Sequence, residues 1–448
     1  VRVNRDALED ESKRSEIQFP VSRRFLAALE SRGITNRTGG TIAMNRDHKS
    51  EQARQLDVNC SGATPSAREQ SVWSRREFLA NSASFAVAGA MGGRTLSAHE
   101  MTARGNATHS LVPNPAPGKP RRIIIDTDPG IDDAMAIFLA LRSPELKVEA
   151  ITPVAGNVPL DLTLPNALRL VEIAGRTDVP VATGASHPLI RRLVTSGHVH
   201  GVNGLAGVEF PEPKIKPVHE TAPEIIRRIV RENPGEITIV AVGPLTNVAM
   251  ALRADPELAS MIPAIAIMGG SLSGGNITPA AEFNLYVDPE AARIVFDANI
   301  PLTMVGLDVT RKCLVNEQHI KRLEAANNPV SQAAGKIMRA TYERMRHGGE
   351  VTEIALHDAL TVASLIDPGV ITRKDYYVEV ETAGEWTAGQ TLGYDGHGPV
   401  RKSPQMETSA PEPPPAELPF KPNAQVAVGV DPDRFFHLLI PRLTGSAA

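Results

Sequence analysis

Four aspartates fall within eight positions of the stretch RIIIDTDPGIDDAMAI, residues 122–137: Asp126, Asp128, Asp132 and Asp133. Carboxylates this dense repel one another. Pro129 and Gly130 predict a turn into a helix, which puts Asp132 and Asp133 in its first turn. There the helix dipole favours each negative charge by about 0.3–1 kcal/mol, too little to offset the repulsion of the whole group. A shared cation is the better account. Adjacent helix positions point roughly 100° apart, so these two carboxylates can serve different ligands while Asp128, before the turn, faces the same space. Hard oxygens converging on one point suit Ca2+ or Mg2+ rather than a thiolate-seeking metal. A second pair, His357 and Asp358, opens HDALTVASLI, whose spacing predicts an amphipathic helix. His198 and His200 in SGHVHG have the look of a zinc pair, but no third ligand is evident.

The elements that must position these residues follow from residue 121 onward. Short β-rich runs (RIIID at 122, VEAITPV at 148, ITIVAV at 237, AIAIM at 264, LTMVG at 302) alternate with helical patterns such as DDAMAIFLALRS and PNALRLVEIAG. Near-continuous apolar strands separated by helices imply an α/β fold: an open, mainly parallel sheet with helices on both faces. Such sheets bind ligands beyond the carboxyl ends of their strands. DTDPGIDD, VAGN, VGPLTN and MGGSLSGGN all follow predicted strands, so the polar clusters fall there.

Composition bounds the function classes. With 42% hydrophobic and 22% charged residues, the 448-residue chain reads as globular. Its net charge of −4 argues against nucleic acid as a partner, and no apolar run reaches the roughly 20 residues that span a bilayer. Residues 1–73 are polar and without sustained periodicity, which predicts a poorly structured extension. Residues 74–98 then run SRREFLANSASFAVAGAMGGRTLSA: an arginine pair, Phe-Leu, a weakly apolar stretch and a small-residue cleavage site at Ala98. This order resembles a twin-arginine export signal and predicts handling by that export machinery, with the cleaved protein outside the cytoplasm. Residues 1–98 carry 15 Lys and Arg against 11 Asp and Glu, which leaves −8 for residues 99–448. Cleavage would also remove Cys60 and leave Cys313 alone, so no disulfide is expected. A Pro-rich linker covers 99–120, and 121–448 is the predicted catalytic domain.

Across that domain the motifs DTDPGIDDAMAI, VAGN, SGHVHG, VGPLTN, MGG, AEFNLYVDPEAARIVF, VGLDVT and LHDALTVA occur in an order that resembles the nucleoside hydrolases, the inosine-uridine preferring group especially. The resemblance implies an open α/β domain that binds one Ca2+ and hydrolyses the N-glycosidic bond of ribonucleosides. It implies that Asp128, Asp133, Asp358 and the backbone carbonyl of Val242 ligate the ion, with Asp128 also taking a proton from the attacking water. Asp132, Glu282 and Asn284 match residues that grip the ribose hydroxyls, and Asn276 one near the 5′-hydroxyl. Asn157 matches a residue that orients base and water, His357 is the candidate acid for the leaving base, and Asp126 stands behind them. His198 is expected in the loop over the substrate, in contact with the base. Relatives of this kind assemble as homodimers or homotetramers. The sequence departs from the family between about 394 and 422, where a Pro-rich insertion is expected to form a surface loop. DTDPG also resembles the opening of the aspartyl phosphatases superficially, but Ile131-Asp132-Asp133 does not continue that pattern. An exported nucleoside- or ribose-binding protein without turnover is the other alternative; retention of Asp128, Asn157 and His357 argues against it.

Overall fold

In the computed structural model the described residues are 118–347, 354–395 and 421–445. The expected N-terminal extension, the signal segment, most of the linker and residues 396–420 of the insertion lie outside them.

Among the described residues twelve strands are formed: β1 (Arg121–Thr127), β2 (Leu146–Pro153), β3 (Ala182–Thr183), β4 (Val218–Thr221), β5 (Ile237–Ala241), β6 (Ala264–Met268), β7 (Leu302–Val305), β8 (Leu314–Val315), β9 (Ile354–Ala355), β10 (Ile371–Val380), β11 (Thr391–Tyr394) and β12 (Ala424–Val430). The helices are α1 (Ile131–Arg142), α2 (Leu160–Ile173), α3 (Gly197–His200), α4 (Ala222–Glu232), α5 (Thr246–Ala254), α6 (Leu258–Met261), α7 (Phe283–Val287), α8 (Pro289–Phe296), α9 (Leu307–Thr310), α10 (Glu317–Ala325), α11 (Pro329–His347), α12 (His357–Ile366) and α13 (Pro432–Thr444).

Eight strands build the central sheet in the order β11–β10–β12–β7–β6–β5–β1–β2. From β12 to β2 every pairing is parallel, and β10 pairs antiparallel with both β12 and β11. The expected mainly parallel sheet is present, with an antiparallel edge added to it. Alternation along β1 explains why its isoleucine run is unbroken. Ile123 and Ile125 join one core with α1, α2 and α10 to α13, while Ile124 joins a second with α4, α5, α6 and α8. Both faces of the strand are therefore covered, and each such side chain contributes about 1.5–3 kcal/mol on burial.

The strand order also fixes where a ligand can enter. β1 pairs with β2 on one side and with β5 on the other. The chain leaves β1 through α1 to β2 and later returns to the opposite side of β1. That reversal opens a crevice at the carboxyl end of β1, where Asp126, Thr127 and Asp128 stand. The helix that follows is buried from Ile131 to Leu141, its two aspartates included. Behind it, α12 packs against α1 and carries Asp358 into the same region.

Candidate active site

The site grows from the turn between β1 and α1. Asp133 ties that turn together: Oδ1 accepts from the Thr127 hydroxyl (2.5 Å) and the Asp128 amide (3.2 Å), and Oδ2 from the Gly130 amide (2.9 Å). Asn157, in the loop after β2, donates its side-chain amide to Asp133 Oδ2 (3.0 Å) and to the Asp128 carbonyl (3.2 Å). Its backbone N–H donates to Asp128 Oδ2 (2.7 Å), and its own Oδ1 accepts from the Ser196 hydroxyl (2.8 Å). Asn157 thus orients Asp128 directly. The glycines of VAGN and VGP make the fit possible, since a Cβ on Gly156 or Gly243 would overlap the Asp128 carboxylate. Asp128 is fully buried, and its Oδ1 has no hydrogen-bond partner. Asp126 sits behind this turn, accepting through Oδ2 from Thr152 (2.6 Å) and Asn247 (2.9 Å).

Three carboxylates meet next to it. Asp132, Asp133 and Asp358 offer oxygens that lie within 4.8 Å of one another. The resemblance put Asp132 with the ribose and Asp128 with the ion; here the Asp132 carboxylate also stands within reach of Asp133 and Asp358. Asp132 also accepts from the His357 amide (3.2 Å). The Val242 carbonyl, at the end of β5, accepts from the Asn284 amide (2.9 Å), which reaches Met268 O as well (3.2 Å). A carbonyl has two lone pairs, so this bond leaves Val242 able to meet a second partner. Glu282 caps α7, accepting from the amides of Asn284 (3.0 Å), Leu285 (3.2 Å) and Gly270 (3.1 Å). Asn276 accepts from the Phe283 amide (2.9 Å), so MGGSLSGGN and AEFN fold onto each other.

These groups line a cavity of about 600 Å³. Asp132, Asn157, Val242, Asn276, Glu282, Asn284, His357 and Asp358 all border it, as do His198 and His200 of α3. Asp128 and Asp133 lie in the turn beneath, bonded to Asn157. The two histidines differ in place. His198 is exposed, whereas His200 Nδ1 accepts from the Ile131 amide at the start of α1 (3.1 Å). His357 Nδ1 pairs with the Thr310 hydroxyl (2.7 Å).

Burial governs the electrostatics. It pushes Asp128 and Asp358 well above the usual carboxylate range, and their neighbouring aspartates push them further. Desolvation also raises Asp133 to about 6, with Asp132 adding to it, and raises Asp126 and Glu282 to about 7. The imidazoles move the other way, His357 down to about 4 and His200 to about 3, again chiefly through burial. Both rings are neutral at neutral pH.

Sequence reasoning missed several neighbours. Ser196, Thr341, Arg344 and Met345 line the cavity, and Arg344 donates to the Val199 carbonyl, holding α11 against α3. Thr341, Arg344 and Met345 have i, i+3, i+4 spacing and share one helix face. That spacing was the available signal, but it also fits an ordinary amphipathic helix. Thr310 and Asn247 were present in quoted motifs, VGLDVT and VGPLTN, without a role being given to them.

A parallel sheet with its carboxylate-floored cavity at the strand-order reversal also has relatives of known structure and activity. The family model described as inosine-uridine preferring nucleoside hydrolase matches residues 123–437. A pyrimidine-specific ribonucleoside hydrolase, RihA of Citrobacter koseri, is 44% identical over 323 residues, covering 72% of this chain and 97% of that protein. A plant nucleoside hydrolase, PpNRh1, superposes with a TM-score of 0.64 at 37% identity over 73% of this chain and 99% of the other. The purine-preferring ribonucleoside hydrolase of Gardnerella vaginalis gives 0.64 at 32%, over 72% and 98%. The class so defined is that of the nucleoside N-ribosyl hydrolases. Within it, the chain belongs to the inosine-uridine preferring nucleoside hydrolase family.

Proposed function

We propose that this chain hydrolyses the N-glycosidic bond of ribonucleosides in a Ca2+-dependent reaction, releasing ribose and free base, with pyrimidine nucleosides as its preferred class. The observation that carries the cation is the buried, unpartnered Oδ1 of Asp128 beside the oxygens of Asp132, Asp133 and Asp358. A buried acceptor without a partner costs about 1–3 kcal/mol, and several buried carboxylates add repulsion. An all-oxygen donor set fits a hard divalent ion. Asp128, Asp133, Asp358 and the Val242 carbonyl would hold it, with Asp132 close enough to join. Bound Ca2+ supplies positive charge that anchors the ribose hydroxyls and eases deprotonation of the attacking water.

The chain's own residues supply the rest. Asp128 takes the water's proton, its carboxylate fixed by the Asn157 amide. Asp132, Glu282, Asn284 and Asn276 hold the ribose. Their carboxylates and amide oxygens favour the positive charge that builds on the sugar as the bond loosens. His357 faces the cavity as a neutral imidazole paired with Thr310 and can hydrogen-bond the departing base. His198 covers the base from α3. Two features support the pyrimidine preference. The RihA relatives bear that specificity in their name. Among the described residues lining the cavity, Phe283 is the single Phe, Tyr or Trp, so the cavity lacks a pair of large aromatic rings to sandwich a purine.

Ribose release from a nucleoside panel, with and without chelator, tests this reading. Release that chelator abolishes, that Ca2+ restores and that Asp128→Ala lacks is the expected result; chelator-insensitive release would refute the cation's role. Export through the twin-arginine machinery, with cleavage near Ala98, belongs to the same proposal. N-terminal sequencing of exported protein should begin just after Ala98, and intact protein confined to the cytosol would exclude export.

A further inference from the structure

Acidic and basic side chains reach the cavity from different helices. Asp132, Glu282 and Asp358 reach it from the starts of α1, α7 and α12, whereas Arg344 comes from the last turn of α11. Among the described residues lining the cavity, Arg344 is the single Lys or Arg. Thr341 and Met345, three residues before it and one after it on the same helix, line the cavity with it, and the guanidinium is close enough to His200 for its charge to help hold that imidazole neutral. It donates to the Val199 carbonyl, which fixes its position. A guanidinium carries five N–H donors, so this bond leaves most of its hydrogen-bonding capacity in place.

The reaction provides a use for that charge. As the C1′–N bond breaks, its electron pair passes to the ring nitrogen of the base. The water oxygen bonds to C1′, Asp128 takes one water proton, and the base gains a proton from solvent before it leaves. Until then the base is anionic. In uracil and cytosine the 2-oxo oxygen, adjacent to the reacting nitrogen, takes much of this charge. Adenine has no oxo group at all. Resting on the hydrolase reading above, we propose that Arg344 is a specificity-determining residue. Its guanidinium binds the 2-oxo oxygen of a pyrimidine and holds the charge that gathers there, so that 2-oxo pyrimidine ribosides are favoured over adenosine.

The experiment uses the full chain with Ca2+, its Arg344→Gln and Arg344→Lys variants, and four substrates: uridine, cytidine, adenosine and p-nitrophenyl riboside. The last leaves as a stable anion that needs little help. Losing a charged hydrogen bond should lower kcat/KM for uridine and cytidine about 10- to 100-fold in Arg344→Gln. For p-nitrophenyl riboside and adenosine the loss should be at least about tenfold smaller, by the same reasoning. Arg344→Lys, which keeps the charge but not the fork, should recover part of the activity on uridine, and it serves as the test if Arg344→Gln melts early. An equal loss on all four substrates would overturn the proposal, leaving Arg344 as a tie to α3 alone. A wild-type chain that releases ribose from none of them would overturn the hydrolase reading itself.

Discussion

If a divalent ion holds the buried carboxylates together, its effect on stability should grow with pH. The residue that sets the scale is Asp133, fully buried and pushed from an ordinary 3.8 to about 6. A carboxylate whose folded pKa is raised stabilises the fold below its unfolded pKa, and that contribution is lost as pH rises through the folded value. Without a cation, Asp133 alone should cost about 3 kcal/mol between roughly pH 4 and pH 6, at about 1.4 kcal/mol per pKa unit. Asp128 and Asp358, raised well above the usual range, carry the same sign. Bound Ca2+ cancels the penalty, so the gap in melting temperature between Ca2+ and chelator should be small near pH 4.5 and wide near pH 7.5. With an unfolding entropy of about 2.1 cal/mol/K per residue over roughly 330 residues, 3 kcal/mol corresponds to about 4 °C. Differential scanning fluorimetry at the two pH values, with Ca2+ about 100-fold above its Kd, reads this directly; saturation at that level adds about 2.7 kcal/mol. A gap that is constant with pH, or that narrows as pH rises, would refute the reasoning.

Asp128→Asn keeps the Asn157 contact but loses the proton acceptor and one buried charge, so kcat should fall about 10²- to 10⁴-fold and the gap in melting temperature between Ca2+ and chelator should narrow; steady-state kinetics and a melt check both halves. Gly156→Ala forces a Cβ into the Asp128 carboxylate. A displacement of about 1 Å costs on the order of 10²-fold in rate, and near-wild-type turnover would show that the close approach is unimportant. Asn247→Ala removes a donor to buried Asp126, which should cost about 1–3 kcal/mol in denaturant unfolding. His200, held neutral by burial with its pKa near 3, contributes stability above its ordinary 6.5 that is lost as pH falls towards 3. Cleavage of the 196–207 loop by limited proteolysis should therefore be faster at about pH 5 than at about pH 7; equal rates would speak against that role.

Features written in local sequence were the legible ones. The isoleucine run of β1 and the density of aspartates after it each have a short-range cause, and together they located the crevice before any strand order was known. Helices of similar polarity between apolar runs implied covering on both faces, as Ile123, Ile124 and Ile125 illustrate. The antiparallel edge was hidden because β10, ITRKDYYVEV, is half polar and is parted from β12 by a Pro-rich stretch. Which histidine of SGHVHG does what was equally hidden. Their two-residue spacing is symmetric, and only packing of α3 on α1 sets His200 at the Ile131 amide and leaves His198 exposed. Arg344 was invisible for a like reason, since a basic residue in a helix's last turn has an ordinary explanation in the helix dipole.

The carboxylates answer to two demands that pull against each other. Catalysis by a cation needs several of them ionised within reach of one point, while folding without the ion penalises that arrangement. The chain divides the work. Asp133 accepts from Thr127, Asp128, Gly130 and Asn157, so it builds the turn whether or not an ion is present. Asp128 keeps one oxygen on Asn157 and leaves the other unpartnered. The stabilising bonds therefore accumulate on Asp133, which shapes the turn, while Asp128, the proposed proton acceptor, keeps one oxygen unmet, as does Asp126 behind it. Asp132 and Asp358 begin helices that pack on each other. Their separation is consequently set by the packing of α1 on α12 rather than by a loop, and sites carried on helices are held more precisely than sites on loops.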